Sequence, residues 1–96
     1  MKKINIQFGP KEDPTIKDVQ YSQLIGYLEA MLCYTKSHTM VVLFDDDNRD
    51  CLVTDNYKTV LRLCANLDES IKEIHIQMFD KSDYEDIFGY IQELWQ

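Results

Sequence analysis

The chain has 96 residues, of which 45% are hydrophobic and 28% are charged, and its formal net charge at pH 7 is −7. This length and apolar content predict a single folded domain over residues 1–96 and exclude a disordered segment. The acidic excess disfavours direct binding to nucleic-acid phosphates or to anionic membranes, and it favours a protein partner with a basic surface.

The N-terminal third is predicted to form a strand followed by a long helix. Apolar and polar residues alternate over residues 3–8, which indicates a half-buried strand, and a Gly-Pro pair ends it. Thr15, with Asp18 three residues later, resembles a capping box, so we expect a helix from Thr15 to about Thr35. Apolar residues at helical spacing form its expected buried stripe: Tyr21, Leu24, Ile25, Leu28 and Leu32.

The middle of the chain is predicted to form a β-hairpin and a second helix. Residues 40–44 are an unbroken apolar run, typical of a strand covered on both faces. A polar segment follows, and residues 51–54 are expected to form a strand that pairs with the first. Asp55 or Asn56 is expected to cap a helix over residues 57–64, although residues 59–63 are also compatible with a strand.

The C-terminal part is predicted to form a strand and a third helix. Residues 71–79 alternate as a half-buried strand does, and Ser82 with Glu85 forms a capping box. The expected buried stripe of this helix comprises Tyr84, Ile87, Phe88, Ile91, Leu94 and Trp95. The element order β-α-β-β-α-β-α predicts an α+β sandwich of the ferredoxin-like βαββαβ type with an additional C-terminal helix.

Two segments of the chain resemble each other. Residues 21–32 and 84–95 share two tyrosines and a glycine at equivalent positions, and the strands at residues 3–7 and 73–77 are also similar. Either a duplicated strand-helix unit or a shared amphipathic pattern explains this similarity.

The shared Gly-Tyr pairs suggest a contact. Gly26 and Gly89 are expected opposite the apolar stripes of their helices, where close approach of another group would compensate their helix-weakening effect. That group is expected to be another helix of the same fold, with a second subunit or a partner as the alternatives. Tyr27 and Tyr34 extend this flank of the first helix, and because tyrosine suits interfaces they form a candidate contact surface.

The acidic run from Asp45 to Asp50 invites a metal-binding interpretation. A calcium-binding EF-hand loop requires glycine at its sixth position and glutamate at its twelfth, whereas Asp50 and Asn56 stand there. The run is therefore interpreted as a solvated turn, with Mg²⁺ binding at its carboxylates as the open alternative.

Cysteine and histidine spacing predicts no zinc site, because the chain has no Cys-x-x-Cys and no His-x-x-x-His pair. The cysteines are expected to act as small apolar residues. The sequence pattern indicates no partner with which His38 or His75 could perform acid–base catalysis. With three glycines in the whole chain, a phosphate-binding loop is not expected either. We therefore expect neither an enzyme nor a cofactor.

The cysteine content and the N-terminal residues bear on the compartment. Cys33, Cys51 and Cys64 are an odd number without close spacing, unlike the even sets of secreted disulfide scaffolds. The N-terminal lysines are not followed by the apolar run of a secretory signal, and no uncharged apolar stretch approaches the length of a membrane span. These features predict a protein of the reducing cytoplasm.

The chain is small and acidic, and no catalytic motif is recognised in it. These features favour a small inhibitor or neutraliser of another protein, such as an immunity protein, an antitoxin-like protein or a phage anti-defence protein. Its binding surface is expected at two acidic patches. The first comprises Asp45, Asp46, Asp47, Asp50 and Asp55, and the second comprises Asp80, Asp83, Glu85 and Asp86.

Two other functions stay open as alternatives. A regulatory or scaffolding domain would form a homodimer through a sheet edge or through the tyrosine flank. A nucleic-acid mimic would need dense negative charge, whereas −7 over 96 residues is about −0.07 per residue, diffuse beside DNA.

Overall fold

A computed structural model describes residues 3–10, 12–35, 38–44, 50–68 and 70–94 of the chain, and these residues form five strands and three α-helices. The strands are β1 (Lys3–Gly9), β2 (Thr15–Gln20), β3 (His38–Phe44), β4 (Asp50–Thr54) and β5 (Glu73–Asp80). The helices are α1 (Leu24–Leu32), α2 (Tyr57–Ala65) and α3 (Tyr84–Leu94). Short 3₁₀ turns at Tyr21–Gln23 and Cys33–Thr35 flank α1.

All five strands belong to one mixed sheet in the order β2-β1-β5-β3-β4. β1 and β5 are parallel, and every other neighbouring pair is antiparallel. The expected hairpin is confirmed by the pairing of β3 with β4, from Met40 opposite Thr54 to Phe44 opposite Asp50. Its turn, residues 45–49, lies outside the described residues.

The prediction of one long helix from Thr15 is wrong in its first part, because Thr15–Gln20 is a strand. It pairs antiparallel with β1 from Lys3 opposite Gln20 to Phe8 opposite Thr15. Asp18 accepts a hydrogen bond at 2.9 Å from Asn5 Nδ2 on β1 and does not cap a helix. Its β-branched residues and the free edge of β1 explain why strand pairing prevails over the weak capping signal.

The first face of the sheet is covered by α1 and α2. Side chains that alternate along the strands meet one stripe of each helix, which gives a core from which water is excluded. This core comprises Ile4, Ile6, Phe8, Leu24, Leu28, Leu32, Met40, Val42, Phe44, Val60, Cys64, Ile74 and Ile76. The helical interpretation of residues 57–64 is thus confirmed, and Asn56 caps α2 by accepting a hydrogen bond from the Lys58 backbone N–H at 3.0 Å.

The second face of the sheet is covered in part by α3. Phe79 points to this face because it alternates with Met78, which packs against the first-face core, and its ring lies 5.5 Å from that of Tyr90. Ile87 on α3 and Val41 on β3 are buried here, at 6% and 0% exposure. The sheet therefore has helices on both faces, and the domain has three layers.

The α+β class is confirmed, but the sheet order differs from that of the ferredoxin-like fold. Two pairings account for the difference: β2 adds an edge strand beside β1, and β5 enters between β1 and β3. Strand order depends on pairing between distant segments, which local periodicity does not encode.

The two similar segments are not structurally equivalent units. Their strands are neighbours that bury Ile4, Ile6, Ile74 and Ile76 on the same face. Their helices, however, pack on opposite faces, and β2 separates β1 from α1 without a counterpart before α3. The structure therefore adds no support for a duplication, which stays a hypothesis from the sequence.

Candidate functional site

Carboxylates from separate segments converge at one end of the sheet. The register of β3 places His38 opposite Asp80 and Met40 opposite Thr54, so β4 and β5 both finish at this end. Lys81 Nζ lies 3.8 Å from Asp55 Oδ2, which joins the end of β4 to the turn after β5. We call this surface the acidic end and define it by five exposed side chains: Glu12, Asp55, Asp80, Asp83 and Asp86.

A cleft of 260 Å³ opens within the acidic end. Glu12 and Pro10 line it from the β1–β2 connection, and Asp80 and Asp83 line it from the opposite side. His38 Nε2 lies 3.5 Å from Asp80 Oδ1 beside the cleft. The ion pair of Asp55 with Lys81 is exposed on both sides and contributes little to stability, so a partner can exchange it for its own basic group at small cost.

The start of α3 presents aromatic side chains next to these carboxylates. Tyr84 is 75% exposed and Phe88 is 55% exposed, and since they are four residues apart they are neighbours on the helix surface. We call this pair the aromatic flank. Glu85 and Asp86 occupy the first turn of α3, where the helix dipole favours negative charge.

The aromatic flank was missed by the sequence pattern, which assigned both residues to the buried stripe. Of that stripe, Ile87 is buried and Ile91 is half-buried. Periodicity identifies the apolar side of a helix, but it does not specify how much of that side the sheet covers.

Of the first predicted acidic patch, the structure describes Asp55 and the backbone of Asp50. Asp50 begins β4 and Asp55 follows its last residue, so their backbones are separated by roughly 15 Å at the usual rise per strand residue. Asp55 joins the acidic end, together with Asp80, Asp83 and Asp86 of the second predicted patch. Asp45, Asp46 and Asp47 lie outside the described residues.

The predicted tyrosine surface is also divided. Tyr27 is half-buried and packs against the first-face core, with Lys17 Nζ 5.9 Å from the centre of its ring. Tyr34 is 86% exposed in the turn after α1. Tyr27 is thus mainly a packing residue, whereas Tyr34 is free to make an external contact.

The glycines of the two Gly-Tyr pairs are not sites of close helix contact within the described part of the fold. Among the described residues, nothing lies within 4 Å of a Cβ atom built on Gly26 or on Gly89. The expected approach of a neighbouring helix of the same fold is therefore wrong. Helix α1 contacts α2 through its other side, which bears Leu28 and Leu32.

A second cavity, of 450 Å³, lies between α2 and the end of the β-hairpin remote from the acidic end. Phe44, Leu52, Leu63, Leu67 and Ile71 give it an apolar lining. Its two polar side chains already have partners: Asn66 Nδ2 donates to Arg62 O at 2.9 Å, and Asp68 Oδ1 accepts from Ser70 N at 3.0 Å. The cavity thus offers an apolar surface with few polar groups left for recognition.

The thiols of Cys51 and Cys64 are in environments that disfavour the reactive thiolate. Burial raises the pKa of the Cys64 thiol to about 12 and also raises the pKa of Cys51. Because the thiolate is the nucleophilic form, both groups are protonated and unreactive near neutral pH. Tyr90, above the second face, also has a raised pKa, first through burial and then through the negative charges of Cys51 and Glu93.

The described residues contain no cluster of three or more His, Cys, Asp or Glu side chains placed to hold a metal ion. Within the same ranges, none of the helices has the length and apolarity needed to cross a bilayer. No protein-family model, no curated protein and no solved structure matches the chain. The acidic end and the aromatic flank are therefore interpreted from their own chemistry.

Proposed function

We propose that this chain is a non-catalytic protein-binding domain whose acidic end occupies a basic surface on another protein. The observation that carries the proposal is the convergence of exposed carboxylates from separate segments, with Asp55 after β4, Asp80 at the end of β5 and Asp83 before α3. A surface on which carboxylates outnumber cations attracts a basic partner before contact and speeds association.

The role that we propose is neutralisation of the partner. A basic active site or a basic nucleic-acid groove is a surface that an acidic domain of this size can cover. Immunity proteins, antitoxin-like proteins and phage anti-defence proteins act in this way, and the net charge of −7 supports a role of this type. The pKa values of Cys51 and Cys64, raised by burial, argue against a thiol-based enzyme as the alternative.

The test begins by identifying the partner. The tagged chain is used to capture proteins from cells of its native host, and each captured protein is purified and titrated by calorimetry at low and at physiological salt. We expect a basic partner whose affinity falls as salt rises, and whose own activity is lost when the chain is bound.

Two charge-reversal variants distinguish binding through the acidic end from an effect of the net charge alone. Asp86→Lys lies at the acidic end, and Glu29→Lys changes the net charge equally on the exposed side of α1. We expect Asp86→Lys to weaken binding by about fivefold or more and Glu29→Lys to change it much less. Equal affinities for the two variants, or a partner that keeps its activity in the complex, would contradict the proposal.

A further inference from the structure

The aromatic flank differs from the rest of α3 in being apolar without being buried. Ile87 is 6% exposed, whereas its neighbour Phe88 is 55% exposed and Tyr84, one turn earlier, is 75% exposed. Both aromatic rings belong to an element that is otherwise anchored to the sheet through Ile87 and Tyr90. Their backbone is therefore already placed by the fold, so a partner that binds them does not have to order the helix.

Exposed aromatic residues on a folded helix are side chains of the type that most often dominates the binding free energy at protein interfaces. Burial of the phenylalanine ring in an interface gives a favourable hydrophobic free energy. The tyrosine ring also buries apolar surface, while its hydroxyl keeps a hydrogen-bond partner. Charge alone speeds encounter but gives limited affinity in water. The aromatic flank supplies the apolar contact that the acidic end lacks.

The charge around the aromatic flank limits its occupant. Glu85 lies three residues before Phe88 and next to it on the helix surface, and Asp83 and Asp86 lie beside Tyr84 in the chain. A second copy of this chain placed on the same flank would bring like charges together, which is unfavourable. A basic side chain, in contrast, pairs with these carboxylates and can also stack on the rings, as Lys17 does on Tyr27 within this fold.

We propose that Tyr84 and Phe88 anchor the basic partner, whose docking surface carries apolar side chains surrounded by lysine or arginine. This inference rests on the proposed function and adds to it the surface that holds the partner after electrostatic encounter. The acidic end then governs mainly the association rate, and the aromatic flank governs mainly the dissociation rate.

A synthetic peptide with leucine and lysine in an amphipathic helical pattern serves as the probe. The full chain, labelled with ¹⁵N, is titrated with this peptide, with a leucine–glutamate peptide of the same pattern and with a serine–lysine peptide. We expect saturable shifts around Tyr84 and Phe88 with the leucine–lysine peptide, at least about tenfold weaker binding of the serine–lysine peptide, and none of the leucine–glutamate peptide.

Three variants make the inference falsifiable. Tyr84→Ala and Phe88→Ala are each expected to weaken binding of the leucine–lysine peptide by about tenfold and to raise its dissociation rate. Tyr34→Ala tests the competing surface and is expected to leave peptide binding unchanged, because Tyr34 is also an exposed aromatic residue, at 86%, but follows α1. All three proteins should show unchanged thermal unfolding midpoints, since the side chains removed are exposed.

The possible outcomes separate the two proposals. Shifts that centre on Tyr34 or on the cavity lined by Leu63 and Leu67 would overturn the inference. If Asp86→Lys weakens peptide binding while Tyr84→Ala and Phe88→Ala do not, the proposed function stands and the aromatic anchor is wrong. If neither kind of change affects binding, both are wrong.

Discussion

Single glycines in this chain meet different backbone requirements. Gly9 adopts a φ of +120°, a conformation that side chains disfavour, at the point where β1 ends and the chain turns toward β2. Its carbonyl oxygen also accepts a hydrogen bond from Gln77 Nε2 on the neighbouring strand. Gly26 and Gly89 are helical, with open space in the described chain where a Cβ would stand. The first glycine is required by the fold, and the two helical glycines are not.

Gly26→Ala and Gly89→Ala are each expected to stabilise the protein by about 1 kcal/mol, because alanine loses less backbone entropy in a helix. Gly9→Ala is expected to destabilise it by on the order of 1–3 kcal/mol through backbone strain. Urea unfolding with a constant m-value measures all three. Loss of stability in either helical variant would show that the glycine has a close neighbour.

The buried thiol of Cys64 predicts a pH dependence of stability. Its pKa is raised from 9.0 to about 12 in the folded protein, so folding favours the neutral thiol. This contribution is complete below pH 9 and is lost as the pH rises from 9 toward 12. The stability difference between wild type and Cys64→Ala should therefore narrow above pH 9, by up to about 1.4 kcal/mol per pH unit.

Urea unfolding at a series of pH values from neutral to alkaline measures this difference. Tyr90 is present in both proteins, so its own raised pKa cancels in the comparison. Val60→Ala, which removes buried atoms of the same helix but no titratable group, is the control whose difference from wild type should stay constant. A constant difference for Cys64→Ala as well would contradict the prediction.

At the scale of elements, the strands and helices differ in how well local sequence specifies them. β1, β3, β5 and α2 were predicted because each has a clear apolar pattern bounded by polar or turn residues. The helix predicted from Thr15 actually begins near residue 21, since its first part pairs with β1 as a strand. That pairing is a hairpin between residues 7 to 17 positions apart, and the capping-box resemblance of Thr15 and Asp18 concealed it.

Among the described side chains of α3, Ile87 is the most deeply buried, so it is expected to contribute most to the attachment of the helix, beside the contact of Tyr90 with Phe79. Ile87→Ala should cost about 2–4 kcal/mol, because it leaves a cavity against Val41 and the second face. Phe88→Ala, one residue further, should change stability by no more than about 0.5 kcal/mol, since its ring is exposed. Thermal or urea unfolding distinguishes these outcomes, and equal losses would mean that α3 packs through the aromatic flank.

At the scale of the whole molecule, charge is distributed unevenly over a body of 39 × 31 × 23 Å. The carboxylates of the acidic end lie together, and the net charge of −7 acts over distances comparable to the molecular dimensions. Such self-repulsion opposes the compact state and is screened by salt.

Raising the salt concentration should therefore stabilise the protein. The screening length falls from about 30 Å at 0.01 M to about 10 Å at 0.1 M, which removes repulsion across the molecule. The urea midpoint is expected to rise over this range, and to rise less in an Asp83→Asn, Asp86→Asn double variant. A midpoint that falls with salt would mean that attractive pairs, such as Asp55 with Lys81, outweigh the repulsion.

The sequence by itself determined the α+β class, the hairpin and the acidic net charge, because periodicity and composition act within short segments. Only the tertiary structure decided that Thr15–Gln20 is a strand, that α3 packs on the second face, and that Asp55 lies with Asp80. It also decided that Tyr84 and Phe88 are exposed. The strand depends on its pairing with β1, and the other features depend on which distant segment covers which surface. A local apolar pattern does not specify either choice.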